Sequence, residues 1–164
     1  VSAVRYGNVL LSRGSVVPFW RAQMARGVPL TITDPTMTRF LLTLPQAAAF
    51  VFQALADMEG GETFVPRLPS ATLEDLALAV AGAEYPREIV GLRPGGEKRH
   101  EALLSREEPP RTYRIGERFT ILPSHHSWRA TWPWPAGAEP VHAAYTSDVP
   151  ARRLSVEEIR AWLR

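Results

Sequence analysis

Three residues in this chain have the types and settings to hold an anion: Asn8 in "RYGNV", Arg39 in "MTRF" and Arg93 in "GLRPGGEK". The local pattern places each in a loop directly after a strand. In α/β sheets, ligands collect at the carboxyl ends of strands, and the loops there carry function. An arginine fork matches phosphate oxygens, and neighbouring glycines let backbone approach a ligand closely. Spacing alone also fits ordinary surface arginines and a turn asparagine.

Other candidates offer less. His125 and His126 in "SHHSW" are adjacent, so they point in different directions, and no carboxylate or third histidine has the spacing of a metal set. His100 and His142 are isolated, and all four histidines read as surface or loop residues. Trp128, Trp132 and Trp134 lie between prolines, where they either stack on a sugar or base or pin a long loop; pinning is the simpler reading. Ser12, Ser15 and Ser105 lack a Gly-x-Ser-x-Gly elbow or a nearby His/Asp partner. Glu107-Glu108, before Pro109-Pro110, reads as a solvated pair. There is no Gly-x-Gly-x-x-Gly and no phosphate-loop signature.

Composition narrows the class. The 164 residues suffice for one domain with a core. A net charge of +2, with basic residues scattered among acidic ones and Lys98 the only lysine, gives no nucleic-acid footprint. With no cysteine there are no disulfides, thiolate nucleophiles or zinc ribbons, which fits a cytoplasmic setting. No apolar run approaches bilayer length, so no membrane contact is expected in this segment.

The elements that must position these residues alternate. Val1 to Leu11 reads as an apolar strand. Ser15 is the expected N-cap of a helix to about Arg26, followed by a strand at Val28 to Thr33 and a turn in "DPTMTRF". A helix follows over Leu44 to Met58, then a strand in "ETFVPRL" and a helix in "SATLEDLALAVAG" capped by Thr72 or Ser70. "EIVGL" reads as a strand, "EKRHEALLS" as a helix of about two turns, and "YRIGERFTILP" as a hairpin around Gly116. Ser155 and Glu158 make a capping box before "VEEIRAWL". This order is α/β.

Several blocks in sequence then resemble a known family. "VRYGNV…SRGSVVPFW", "LTITDPTMTRF", "GGETFVPRLPS", "IVGLRPGGEKRHEALLS" and "YTSD…LSVEEIRAWL" are similar to the C-terminal half of nucleotide-sugar 4,6-dehydratases, in the polysaccharide-biosynthesis branch of the extended short-chain dehydrogenase/reductases. Tyr6, "TITDPTMTRF" and "FVPRLPS" set it nearer the inverting UDP-N-acetylglucosamine 4,6-dehydratases than the retaining ones.

The resemblance implies an α/β fold. Residues 1–27 would close a Rossmann domain, and residues 28–164 would form the nucleotide-sugar region with a C-terminal helix. It also implies that on the order of 150 residues precede Val1, carrying the catalytic Tyr-x-x-x-Lys pair and most of the NADP or NAD site. The chain alone would then have no catalytic residue and would be inactive, with an opening strand lacking sheet partners. The implied substrate is UDP-N-acetylglucosamine, and the implied assembly is a homo-oligomer. Asn8, Arg39 and Arg93 would hold the diphosphate and ribose, and Glu97 would accept from a ribose hydroxyl. Thr31 and Thr33 would meet uracil through backbone, and Tyr6 would border the nicotinamide. No metal is implied. A retaining dehydratase, a UDP-sugar 4-epimerase and a non-catalytic nucleotide-sugar-binding fragment stay open as alternatives. Two departures from the family pattern bear on the site: an extra glycine in "RPGGEK" affects the reach of Glu97, and Leu11 stands where glycine is common, which would crowd the substrate side.

Overall fold

The apolar opening does not form a single strand. In the computed structural model, which describes residues 1–92, 97–124 and 136–164, it splits into β1 (Ala3–Val4) and β2 (Asn8–Val9), which join different sheets. Gly7 lies at the break. A Cβ there would stand 2.5 Å from the Phe40 carbonyl oxygen, so only glycine lets the two backbones pass this closely. β1 has a sheet partner after all: it runs parallel to a later strand, with Ala3 opposite Thr63.

The remaining elements are α1 (Val16–Ala25), β3 (Leu30–Ile32), β4 (Thr38–Leu42), α2 (Leu44–Asp57), β5 (Thr63–Pro66), β6 (Ser70–Thr72), α3 (Leu73–Ala81) and β7 (Arg87–Ile89). After them come β8 (Ala102–Leu104), a 3-10 turn (Pro109–Arg111), β9 (Thr112–Ile115), β10 (Arg118–Ile121), β11 (Glu139–Pro140), β12 (Tyr145–Thr146) and α4 (Val156–Trp162). They gather into two compact units, each made of three chain segments.

The first unit comprises residues 1–6, 45–67 and 102–146. Its sheet has the order β1-β5-β10-β9-β11. The β9–β10 hairpin turns at Gly116, whose φ of +56° suits glycine. Two buried carboxylates brace this unit. Glu62 accepts from Ser2 Oγ at 2.6 Å and from the amides of Glu59 and Gly60 at 2.5 and 2.7 Å. Glu108 takes a two-point contact from Arg5 at 2.9 and 3.0 Å. The expected solvated pair is therefore half wrong, since Glu108 is buried and paired. In both residues burial raises the carboxyl pKa, but the hydrogen bonds outweigh it and hold the value below that of an ordinary glutamate.

The second unit comprises residues 7–44, 68–101 and 147–164. Its sheets are β2-β4-β6 and the parallel pair β3-β7. The core includes Val17, Trp20, Leu30, Ile32, Leu41, Leu76 and Ile159. α3 starts where expected: Thr72 Oγ1 accepts from Asp75 N at 3.0 Å, and Gly82 (φ +83°) ends the helix. The capping box of α4 is also present, with Ser155 N donating to Glu158 Oε2 at 2.8 Å.

Two further expectations fail. "EKRHEALLS" holds no helix: Ala102–Leu104 is a strand, with Leu104 opposite Tyr145, because cross-chain pairing outweighs the local helix preference of Glu, Ala and Leu. "MTRF" is not a loop either. Thr38–Leu42 is the central strand between β2 and β6, so Asn8 and Arg39 both lie on strands.

Candidate functional site

Arg39 precedes Leu41 by two residues, and Leu41 stands opposite Asn8 in the parallel β2–β4 ladder. Alternation along a strand therefore places Asn8, Arg39 and Leu41 on one sheet face. That face is one wall of a cavity of about 750 Å³ within the second unit, a size in the range of roughly 300–1,000 Å³ that small-molecule sites occupy. The first turn of α1 from Ser15, Thr31 of β3, Thr33 just beyond it, and Glu97 also line the cavity. Five residues singled out from the sequence thus share one cavity. Arg93 lies outside the described residues, as do His125, His126, Trp128, Trp132 and Trp134. Tyr6 follows β1 in the first unit and is 39% exposed.

Arg39 is already engaged. Its Nη1 donates to the carbonyls of Thr38 and Arg99 at 2.8 and 3.1 Å, and its Nη2 donates to Lys98 O at 2.9 Å. Its Nε lies 3.6 Å from Glu101 Oε1. The guanidinium thus holds the segment that follows Glu97 against β4. Arg99 reinforces the hold, with Nε donating to Asp34 Oδ2 at 3.0 Å. Asp34 Oδ1 in turn accepts from Thr36 N and Oγ1 at 2.8 and 2.7 Å, closing the Asp-Pro turn. The Thr36 bonds, followed by Arg99, hold the Asp34 carboxyl below its ordinary value. Behind the strand, Thr38 Oγ1 meets His100 Nδ1 at 2.8 Å and Ser147 Oγ at 2.7 Å, so His100 has a partner.

Thr31 and Thr33 differ in what they can offer. β3 pairs with β7 through Leu30 and Ile32, with Leu30 N donating to Pro86 O and Val90 N to Ile32 O at 2.9 Å each. Thr31 and Thr33 therefore face the other edge. There α1 closes the strand: Trp20 Nε1 donates to Thr31 O at 2.9 Å, Thr31 N donates to Gln23 Oε1 at 3.2 Å, and Gln23 Nε2 donates to Thr31 Oγ1 at 3.1 Å. With its main-chain groups committed, Thr31 lines the cavity without free backbone to give a base. The edge passes to Thr33.

Trp20 and Gln23, which hold Thr31 in place, were not singled out from the sequence. The available signal was a glutamine three residues after a tryptophan on the buried stripe of an amphipathic helix. Leu11, expected to crowd the substrate side, is not among the described residues that line the cavity. Its departure shows in the backbone, where its φ of +64° is the conformation a glycine would adopt freely.

The donor set suits an anion joined to a hydroxylated group. Asn8, Arg39 and the α1 terminus supply donors and positive potential, while Glu97 has a buried acceptor, Oε2, with no partner among the described residues. Among the described residues a dinucleotide does not find its usual cradle: α1 opens on Ser15-Val16-Val17-Pro18 rather than on a glycine-rich turn.

Comparison with known proteins gives the chain's family. A family model described as polysaccharide biosynthesis protein matches residues 1–123. An inverting UDP-N-acetylglucosamine 4,6-dehydratase of Campylobacter jejuni is 43% identical over 124 residues, 75% of this chain and 36% of that protein. A UDP-glucose 4-epimerase of Rickettsia canadensis is 35% identical over 164 residues, 97% of this chain and 48% of its own length. The X-ray structure of Pen from Bacillus thuringiensis superposes with a TM-score of 0.80 at 32% identity, covering 99% of this chain and 48% of that one. The chain spans between about a third and a half of the length of these relatives.

Proposed function

The chain belongs to the polysaccharide biosynthesis protein family, and from that premise we propose that it supplies the UDP-sugar-binding part of an inverting UDP-N-acetylglucosamine 4,6-dehydratase. One observation carries the reading: the second unit gathers Asn8, Arg39, Thr33 and Glu97 around a single cavity. The activity for which the 43% identical Campylobacter relative is named supports it.

In this reading Asn8 lies beside the diphosphate, and Arg39 and Arg93 neutralise it and grip the ribose. Glu97 accepts from a ribose hydroxyl through Oε2. Thr33 offers backbone to uracil. Tyr6 borders a nicotinamide held mainly by residues outside this chain. NADP or NAD, held mainly by residues outside this chain, would supply reversible hydride transfer at the sugar. The residues of this chain would fix the sugar nucleotide by its diphosphate and ribose and keep its reacting carbons in place for that transfer. The overall change is loss of water across C5 and C6 with inversion at C5, giving a 4-keto-6-deoxy amino sugar for surface-polysaccharide synthesis.

A second reading, a UDP-sugar 4-epimerase, is favoured by the Rickettsia relative, whose likeness runs through 97% of the chain. Proton NMR of the product made by the complete enzyme separates the two: a 6-methyl signal marks the dehydratase and an intact C6 hydroxymethyl marks the epimerase. The binding role is tested directly by calorimetry with UDP. Arg39→Ala and Arg93→Ala are each expected to weaken binding by about 1.5–3 kcal/mol, the worth of a hydrogen bond to a charged group. Unchanged affinity in both variants would remove the assignment.

A further inference from the structure

Behind the cavity wall lies a closed set of hydroxyls. Thr38 precedes Arg39 on β4, so its side chain leaves the opposite face of the strand. Thr38 and Ser147 are both buried. Ser147 Oγ donates to Thr38 O at 3.0 Å, accepts from Glu101 N at 2.8 Å and lies 2.7 Å from Thr38 Oγ1. Thr38 Oγ1 in turn lies 2.8 Å from His100 Nδ1.

A proton count orders this set. A hydroxyl has one proton to give and two lone pairs. Ser147 spends its proton on Thr38 O, so the Thr38 hydroxyl must give its own to Ser147 Oγ. Thr38 Oγ1 then has only lone pairs for His100, and Nδ1 must carry the ring proton. Reversing the bond between the two hydroxyls would forfeit the 3.0 Å bond to Thr38 O, a loss that a buried site resists. The bonds therefore run one way, from His100 through Thr38 and Ser147 to Thr38 O, and bonds in such a chain strengthen one another. The carbonyl at its end is also one that Arg39 holds, at 2.8 Å.

The same two residues grip the segment after Glu97. Ser147 N donates to Glu101 O at 2.8 Å, and Thr38 N donates to Arg99 O at 3.0 Å. Ser147 O accepts from Ser70 Oγ at 2.7 Å, which fixes the serine to β6. Glu97 needs such a grip. Its Oε2 is buried with no partner among the described residues, and an unpaired carboxylate moves toward water unless its backbone is held. Arg39 cannot be the whole restraint, because a ligand anion competes for its fork.

We infer that Thr38 and Ser147 are positioning residues of the cavity. Their hydroxyls hold His100 as the Nδ1–H tautomer and pin Glu101, keeping Glu97 at the cavity when a ligand draws Arg39 off Lys98 and Arg99. The ligand part of the inference rests on the UDP-sugar reading above.

Two measurements on the chain test it. Nitrogen NMR of the imidazoles, recorded above their titration range, is expected to find the His100 proton on Nδ1. Thr38→Val, which keeps the side-chain shape, should abolish that preference, and Thr38→Ser should keep it. Titrations with uridine, UDP and inorganic pyrophosphate read the consequence. Thr38→Val is expected to weaken uridine and UDP alike, about tenfold, because both use Glu97. Pyrophosphate, which meets Arg39 and not Glu97, should not weaken. Thr38→Ser should hold all three within about threefold. If Thr38→Val does not fold, Ser147→Ala, which breaks the same chain of bonds, takes its place with the same expected pattern. An Nε2–H tautomer in the unchanged chain overturns the inference whatever binds. So does undiminished uridine affinity in the folded variant, or a loss of pyrophosphate equal to that of uridine, which marks general damage. If the unchanged chain binds neither uridine nor UDP, the UDP-sugar reading falls, and the ligand role of Thr38 and Ser147 with it.

Discussion

Replacing Gln23 with alanine tests whether β3 is held at its cavity edge by side chains instead of by another strand. Gln23 is 8% exposed, and its amide both accepts from Thr31 N at 3.2 Å and donates to Thr31 Oγ1 at 3.1 Å. Two such bonds contribute about 1–3 kcal/mol net. The alanine also strands the Thr31 N–H, a loss of about 1–3 kcal/mol if water stays out. Thr31 is half-buried on a cavity wall, so water relieves part of that loss and the expected cost is about 2–4 kcal/mol. For a chain of this size that is a fall in Tm of roughly 4–16 °C. Amide exchange gives the local readout. The Thr31 amide should exchange much faster in Gln23→Ala, while Leu30, bonded to β7, should not change. Gln23→Glu, which keeps an acceptor, should retain most of the Thr31 protection. A stability change under about 0.5 kcal/mol with unaltered Thr31 exchange would refute the reasoning, because no hydrogen bond of ordinary worth could then be present.

Two further outcomes follow from the backbone and from the buried carboxylates. Leu11→Gly relieves a left-handed conformation that costs a leucine about 1–2 kcal/mol, offset by about 0.5–1 kcal/mol for the freer unfolded glycine. The urea midpoint should therefore rise, and a fall would show that the exposed Leu11 side chain packs better than its 40% exposure indicates. Glu62 and Glu108 have folded pKa values below the ordinary 4.5. Their contribution is thus fully present above pH 4.5 and is lost as pH falls through the lower folded values. Acid titration followed by circular dichroism should show the chain losing structure below pH 4.5. Glu62→Gln with Glu108→Gln should flatten that dependence, and an unaltered acid transition in the double variant would assign the effect to other groups.

How much was legible depended on how local the signal was. Thr72, Ser155 and Glu158 announced their helices because a cap is a contact between residues three apart. The β9–β10 hairpin was legible because Gly116 carries its turn. The strand nature of Thr38–Leu42 and Ala102–Leu104 was hidden, since both are fixed by partners far along the chain, at Asn8 and Ser70 in one case and Tyr145 in the other. Glu108 was misread for the same reason, because Arg5, its partner, lies 103 residues away. Asn8, Arg39, Thr31, Thr33 and Glu97, singled out from local pattern and family likeness, line one cavity. The sequence reading could not tell that Thr31 is already spoken for, because nothing in "LTIT" shows which edge of the strand a helix covers.

Arg39 links the fold to the site. A guanidinium has five donors in a planar fork, and here three backbone carbonyls take most of them. Neutral carbonyls are weaker partners for a cation than phosphate oxygens are. An arriving diphosphate therefore competes on favourable terms for the same fork, and the residues that would feel the exchange are Lys98 and Arg99, immediately after Glu97. In the proposed UDP-sugar reading, diphosphate binding would in this way be coupled through one side chain to the placement of Glu97, the proposed ribose acceptor. The Arg99–Asp34 pair limits how far that segment can move. It is 2.9 Å long but largely exposed on the arginine side, so it is a weak restraint. A firmly buried pair would lock Glu97 whether or not substrate was present, whereas a weak one leaves its final position to the ligand.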